Sequence, residues 1–241
     1  LDYVQMGIEE RNIRFLLSGS SARKLKRGVA NLLGGRAIVF KLHALSQKEL
    51  GNDFSIDRAL TFGTLPKIAL LLKEGRAHEA AQVLRSYVTI YLKEEIQAEA
   101  LVRRLDSFQR FLDVAAQSNG QMIEFDNIAR ECQVAASTVK EYYQILEDTL
   151  LGSFLWPWHR SERKKARPKF YFFDCGVVRA IQERLSAKPS SEERGILFET
   201  WFLNELIRIR DYNFKEHRFS LWREGRNEVD FIIEQGKKPI L

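Results

Sequence analysis

The sequence predicts a mixed fold, part α/β and part α+β, organised around a winged helix-turn-helix centred on residues 108–174. Three observations carry that expectation. Apolar residues recur at helical spacing in three successive segments between residues 107 and 150, the last two joined by a tight turn. An alternating apolar run at 151–158 and an aromatic run at 170–173 then flank a basic stretch, as two strands flank a wing. An amphipathic helix at 195–206 and a two-stranded hairpin follow, with an aspartate inside the second strand.

Read from the start, residues 13–17 (IRFLL) form a short apolar run that breaks into Ser18, Gly19, Ser20 and Ser21, the pattern of a buried strand entering a polar loop. A helix over 22–33 carries Arg23, Lys24, Lys26 and Arg27 and is stopped by Gly34 and Gly35. Residues 37–42 (AIVFKL) read as a second strand. Ser46 with Glu49 three positions on makes a capping box. A helix over 66–74 ends at Gly75, and a long helix runs from 78 to about 105 with Leu84, Tyr87, Val88 and Tyr91 on one face.

In the winged helix, Phe108, Phe111, Leu112, Ala115 and Ala116 mark a first helix over 107–117, ended by Asn119 and Gly120. Asp126 is the expected N-cap of a second helix and Ser137 of a third, Thr138 onward, which packs through Val139, Tyr142, Tyr143 and Leu146. Ser137, Thr138 and Lys140 at its start are residue types that reach base edges and phosphates. Arg160, Arg163, Lys164, Lys165, Arg167 and Lys169, against a lone Glu162, make the wing basic. The expected nucleic-acid-binding residues are therefore Ser137, Thr138, Lys140, Arg163, Lys164, Lys165 and Arg167.

Composition agrees. The 241 residues are 45% hydrophobic and 29% charged, as in ordinary soluble globular chains. The net charge of +6 and pI near 9.3 favour a polyanionic partner. No apolar run reaches the roughly 18 residues of a membrane span, and the opening LDYVQMGIEERN lacks the pattern of a signal peptide. It reads as the middle of a longer protein. Cys132 and Cys175 form no CxxC pair, so a reducing cytosol is the expected setting. His43, His78, His159 and His217 are scattered without ligand spacing.

The segments FLLSGSSARKLKRG, LLGGRA, LHALSQKEL, YLKEEI, TVKEYYQILEDTLLG, KFYFFDCGVVR, GILFETWFLNEL and NEVDFIIE occur in that order. Together they resemble a large prokaryotic family of AAA-type P-loop ATPases with a C-terminal winged helix and a restriction-nuclease-like domain of unknown function. The resemblance implies four parts: the C-terminal portion of an ATPase core over 1–64, a helical lid or linker over 65–106, the winged helix over 107–188 and an incomplete nuclease-like domain over 189–241. It implies that Ser18 and Ser20 watch the nucleotide's terminal phosphate and that Arg36 acts against phosphate as a finger does. ATP and magnesium would serve the intact parent. The chain departs from that pattern in having no GxxxxGK[ST] loop and no strand ending in an Asp-Glu pair, so no ATP hydrolysis and no tightly held cofactor is expected of it.

At the C-terminal end, Glu199 on the helix and Asp230 on a strand fit the first two places of a magnesium-dependent nuclease site, as catalytic and metal-binding residues. The Glu-x-Lys that should follow on the next strand would lie beyond Leu241. The expected protein is thus a cytoplasmic, DNA-associated ATPase relative, able to form homo-oligomers. The competing expectation is a non-enzymatic interaction module that docks a protein through its winged helix and keeps the carboxylates as vestiges.

Overall fold

The protein, as a computed structural model, is described over residues 2–17, 38–91, 105–158, 167–225, 227–236 and 238–239. The fold is mixed α/β. Among the described residues the helices are α1 (Asp2–Arg11), α2 (Gln47–Leu50), α3 (Ile56–Phe62), α4 (Pro66–Lys73), α5 (Ala77–Ser86), α6 (Leu105–Gln117), α7 (Phe125–Cys132), α8 (Ala136–Asp148), α9 (Cys175–Ile181) and α10 (Ser191–Tyr212). The strands are β1 (Gly152–Pro157), β2 (Lys169–Phe172), β3 (His217–Glu224), β4 (Asn227–Gln235) and β5 (Lys238–Pro239). They form one sheet in the order β2-β1-β3-β4-β5, antiparallel except where β1 runs parallel to β3.

The β1–β2 hairpin is shared by two cores because side chains alternate across a strand. Phe170 and Phe172 face the larger core, which also holds Phe108, Phe111, Val139, Tyr142, Tyr143 and Leu146 from α6 and α8. Tyr143 is its aromatic hub, with ring centroids 4.8 Å from both Phe111 and Phe170 and 5.3 Å from Phe154. Tyr171, between those two phenylalanines, faces the other way, into a smaller core with Leu155, Leu203, Ile207 and Leu221. The outer edge of β2 is covered rather than left open. Gly120 N donates to Phe170 O at 2.8 Å, Ile123 N to Pro168 O at 2.8 Å, and the Asn119 side chain accepts from Phe172 N at 2.9 Å.

A buried polar lock joins the α3–α4 turn to α9. Asp174 caps α9 by accepting from Val177 N at 3.1 Å and reaches back to Thr64 N at 2.7 Å. Burial pushes its pKa up, against the opposing pull of those hydrogen bonds. Arg179, fully buried, pairs with Glu193 at 2.8 Å and donates to the carbonyls of Thr61, Arg184 and Ala187. Two glycines make the close approach possible: Gly63 holds a positive φ of 73° against the Asp174 carboxylate, and Gly176 lies on the Phe62 carbonyl.

The capping box at Ser46 and Glu49 forms as expected, with Glu49 Oε2 accepting from Ser46 N at 2.8 Å. Several expected elements differ. Residues 13–17 form no strand, and Leu16 is 94% exposed. An apolar run becomes a strand only where another strand accepts its hydrogen bonds, and none of the described strands pairs with this one. Residues 38–42 are likewise not a strand; Phe40 instead packs edge-on against Phe214 beyond α10. The N-caps fall earlier than expected. Glu124, not Asp126, precedes α7, and Ala135, not Ser137, precedes α8; neither gives a side-chain cap. Both helices begin on an apolar residue packed against the core, Phe125 and Ala136, one position before the capping residue types. The expected helix over 78–105 is α5 followed by a π-helical turn at Tyr87–Tyr91, its remainder up to 104 lying outside the described residues. The expected helix over 22–33 lies outside them as well.

Replacing Gly63 by Ala should destabilise the fold by about 2–4 kcal/mol, since a Cβ there combines left-handed strain with a collision against a buried carboxylate. Urea unfolding of the variant measures this, and a loss below about 0.5 kcal/mol would show that the lock yields easily.

Candidate nucleic-acid interface and carboxylate cluster

The helices α6, α7 and α8 followed by the β1–β2 hairpin have the order of a winged helix. Val139, Tyr142, Tyr143, Ile145 and Leu146 bury one face of α8, leaving Ser137 and Lys140 exposed and Thr138 half-buried at its start. The helix begins at Ala136 without a side-chain cap, so its first-turn N–H groups have no side chain of their own to satisfy them. Lys140 lies 5.3 Å above the Phe125 ring, which holds the ammonium at the α7–α8 junction. Arg167, two residues before β2, is tied to Glu124 just before α7. Arg163, Lys164 and Lys165, like Ser18, Ser20 and Arg36, lie outside the described residues.

The structure brings Glu199 and Asp230 together, through a residue that the sequence reading had placed with the wing. Lys169 opens β2 and is 6% exposed. Its Nζ lies 2.8 Å from Glu228, 3.2 Å from Asp230 and 3.4 Å from Glu199. Tyr171, two residues on and on the same face of β2, donates its hydroxyl to Glu199 Oε2 at 2.7 Å. Burial opposes the charge on Lys169, but the hydrogen bond it donates to Glu228 and the charges of Glu199 and Glu228 outweigh it and hold its pKa above the ordinary value. Burial, with the Glu199 charge behind it, pushes the Tyr171 pKa up as well.

One correction follows. Lys169 is no part of a solvated basic loop, because strand alternation turns it away from Phe170 and into the cluster. Asp230 is half exposed, and its ion-pair partner is Lys169. The sequence reading missed Lys169 and Glu228. The Glu-x-Asp spacing of Glu228 and Asp230, which puts both carboxylates on one face of a strand, was the available signal.

The carboxylates are spaced for an ammonium. Magnesium takes oxygens at about 2.0–2.1 Å, whereas these three stand at hydrogen-bond distances around a nitrogen that already fills the centre. No group of three His, Cys, Asp or Glu side chains among the described residues is arranged to share one metal ion. A metal at Glu199 and Asp230 does not fit this arrangement. No helix among the described residues is long and apolar enough to cross a membrane.

The chain belongs to a family defined only as a domain of unknown function, DUF8612, whose model matches residues 53–188. That match takes in α3 to α9 with the β1–β2 hairpin, and stops short of α10 and the C-terminal hairpin. The chain is also similar to the uncharacterized protein Rv2008c of Mycobacterium tuberculosis and the uncharacterized protein Mb2031c of Mycobacterium bovis, each 26% identical over 233 residues. The alignments cover 94% of this chain and 51% of each relative, so the chain spans about half the length of these relatives. No solved structure matches it.

Replacing Tyr171 by Phe removes one hydrogen bond to a charged acceptor and should cost about 1.5–3 kcal/mol in a urea unfolding experiment. An unchanged midpoint would mean that Glu199 finds an equal partner in water.

Proposed function

We propose that this chain is a nucleic-acid-handling part of a larger protein, docking on duplex DNA through its winged helix. The observation that carries the reading is the start of α8, where no side chain caps the first turn, Ser137 and Lys140 are exposed and Thr138 is half-buried. A helix start of this kind suits a phosphate, since the amides and the positive end of the helix dipole act together. The basic stretch from Arg160 to Arg167 supplies positive charge for backbone contacts.

The resemblance to AAA-type ATPases with a nuclease-like end supports a wider reading. In it, a nucleotide-driven core, using ATP and magnesium in the intact parent, controls how the winged helix meets DNA. The relatives' additional length leaves room for such a core. The cluster around Glu199 and Asp230 then belongs to a nuclease-like unit held in a form without a metal, and cleavage is not proposed for it.

One observation favours a second reading, in which the winged helix docks a protein. Over residues 105–158, Asp106, Asp113, Glu124, Asp126, Glu131, Glu141, Glu147 and Asp148 outnumber Arg110, Arg130 and Lys140, a balance that repels phosphate.

Fluorescence anisotropy with a labelled duplex at increasing salt separates the two. Under the DNA reading, Lys164→Ala with Lys165→Ala weakens binding to all sequences alike and lowers the salt slope by about one to two units. Lys140→Ala lowers it by about one unit. Absence of binding by the wild-type chain at low salt would overturn the DNA reading in favour of protein docking.

A further inference from the structure

We propose that the Lys169 ammonium is the resident cation of the Glu199–Glu228–Asp230 cluster, standing where the nuclease resemblance would put a metal, and that it clasps the wing strand to the C-terminal helix and hairpin. This goes beyond the proposed DNA docking and does not depend on it.

The clasp has work to do because the backbone connection across this boundary is short. β1 and β3 share only the register pairs Trp156 with Ser220 and Pro157 with Leu221, followed by the bond from Trp158 N to Leu221 O at 2.8 Å. The apolar core beneath it is the smaller one, built on Leu155, Tyr171, Leu203, Ile207 and Leu221. By contrast, β3 and β4 pair along most of their length. The C-terminal hairpin is therefore a well-formed unit joined to the winged helix by a brief parallel ladder.

Lys169 bridges that junction. It belongs to β2, on the far side of β1 from β3, and its partners come from α10 (Glu199) and β4 (Glu228 and Asp230). A lysine with so little exposure needs acceptors for all three of its N–H bonds, and three carboxylates from two other elements provide them. The carboxylates, for their part, would repel one another without the central charge. Lysine and cluster thus require each other, and the position of the hairpin follows from the position of the base of the wing.

Amide hydrogen exchange on the whole chain tests this. In Lys169→Met, the sheet amides of β3 and β4 around Leu221 and Ile232 should exchange at least tenfold faster than in the wild type, with the α8 amides around Tyr143 unchanged. Millimolar manganese should leave the hairpin of the wild-type protein unaffected. Should Lys169→Met fail to fold, Glu228→Gln with Asp230→Asn keeps the lysine, removes two partners that are partly exposed, and is expected to loosen the same amides. Exchange in the hairpin within twofold of wild type, in whichever variant folds, overturns the clasp. Protection of the wild-type hairpin by manganese would equally overturn it, since the cluster would then be a metal site. Either result leaves the DNA-docking reading as it stands, because that reading is measured by anisotropy.

Discussion

A charged amine withdrawn from water must be surrounded by acceptors, and the C-terminal half of this protein is arranged to meet that need at Lys169. The lysine sits at the start of β2 with Tyr171 two residues along, so one face of a four-residue strand presents a cation and a phenol together. The opposite face presents Phe170 and Phe172 to the helical core. One short strand thereby serves two interiors of opposite chemistry. Its edge is sealed by Asn119 and the backbone of 120–123 rather than by another strand.

The remainder of the fold depends on a second buried polar arrangement of a different kind. Asp174 and Arg179 gather backbone donors and acceptors from the α3–α4 turn and from the segment before α10. Arg208 adds a bond to Thr64 Oγ1 at 3.3 Å, and Glu205 accepts from Gln47 N at 2.5 Å. These contacts fix loops, which carry no ladder of their own, against the long helix α10. Groups of this type do more for uniqueness of arrangement than for net stability, since removing one partner leaves the other buried and unpaired.

Much of the helical architecture was legible in sequence. Helical periodicity placed α4, α6, α7 and α8 within a few residues, and the capping pattern of Ser46 and Glu49 was read correctly. Asp126 and Ser137 misled because good capping residues also serve inside a first turn; the position of the buried face decided the boundary instead. The runs at 13–17 and 38–42 misled because strand propensity says nothing about the presence of a pairing strand. Glu199 and Asp230 were identified as a pair, but the cation between them was hidden. Lys169 follows Arg160, Arg163, Lys164, Lys165 and Arg167 in the chain, and counting charges along a run cannot show that one of them has crossed into a strand. Its alternation with Phe170, Tyr171 and Phe172 carries that information only once the strand's two faces are known to be buried in different cores.

The most direct measurement of the central interaction is a pH titration of the Lys169 side-chain nitrogen by nitrogen-15 NMR, assigned by comparison with Lys169→Met. Three carboxylates in contact predict an ammonium that stays protonated above the ordinary value of 10.5, with side-chain protons that exchange slowly enough to be seen. A titration at or below that value, or a signal indistinguishable from those of exposed lysines, would contradict the account.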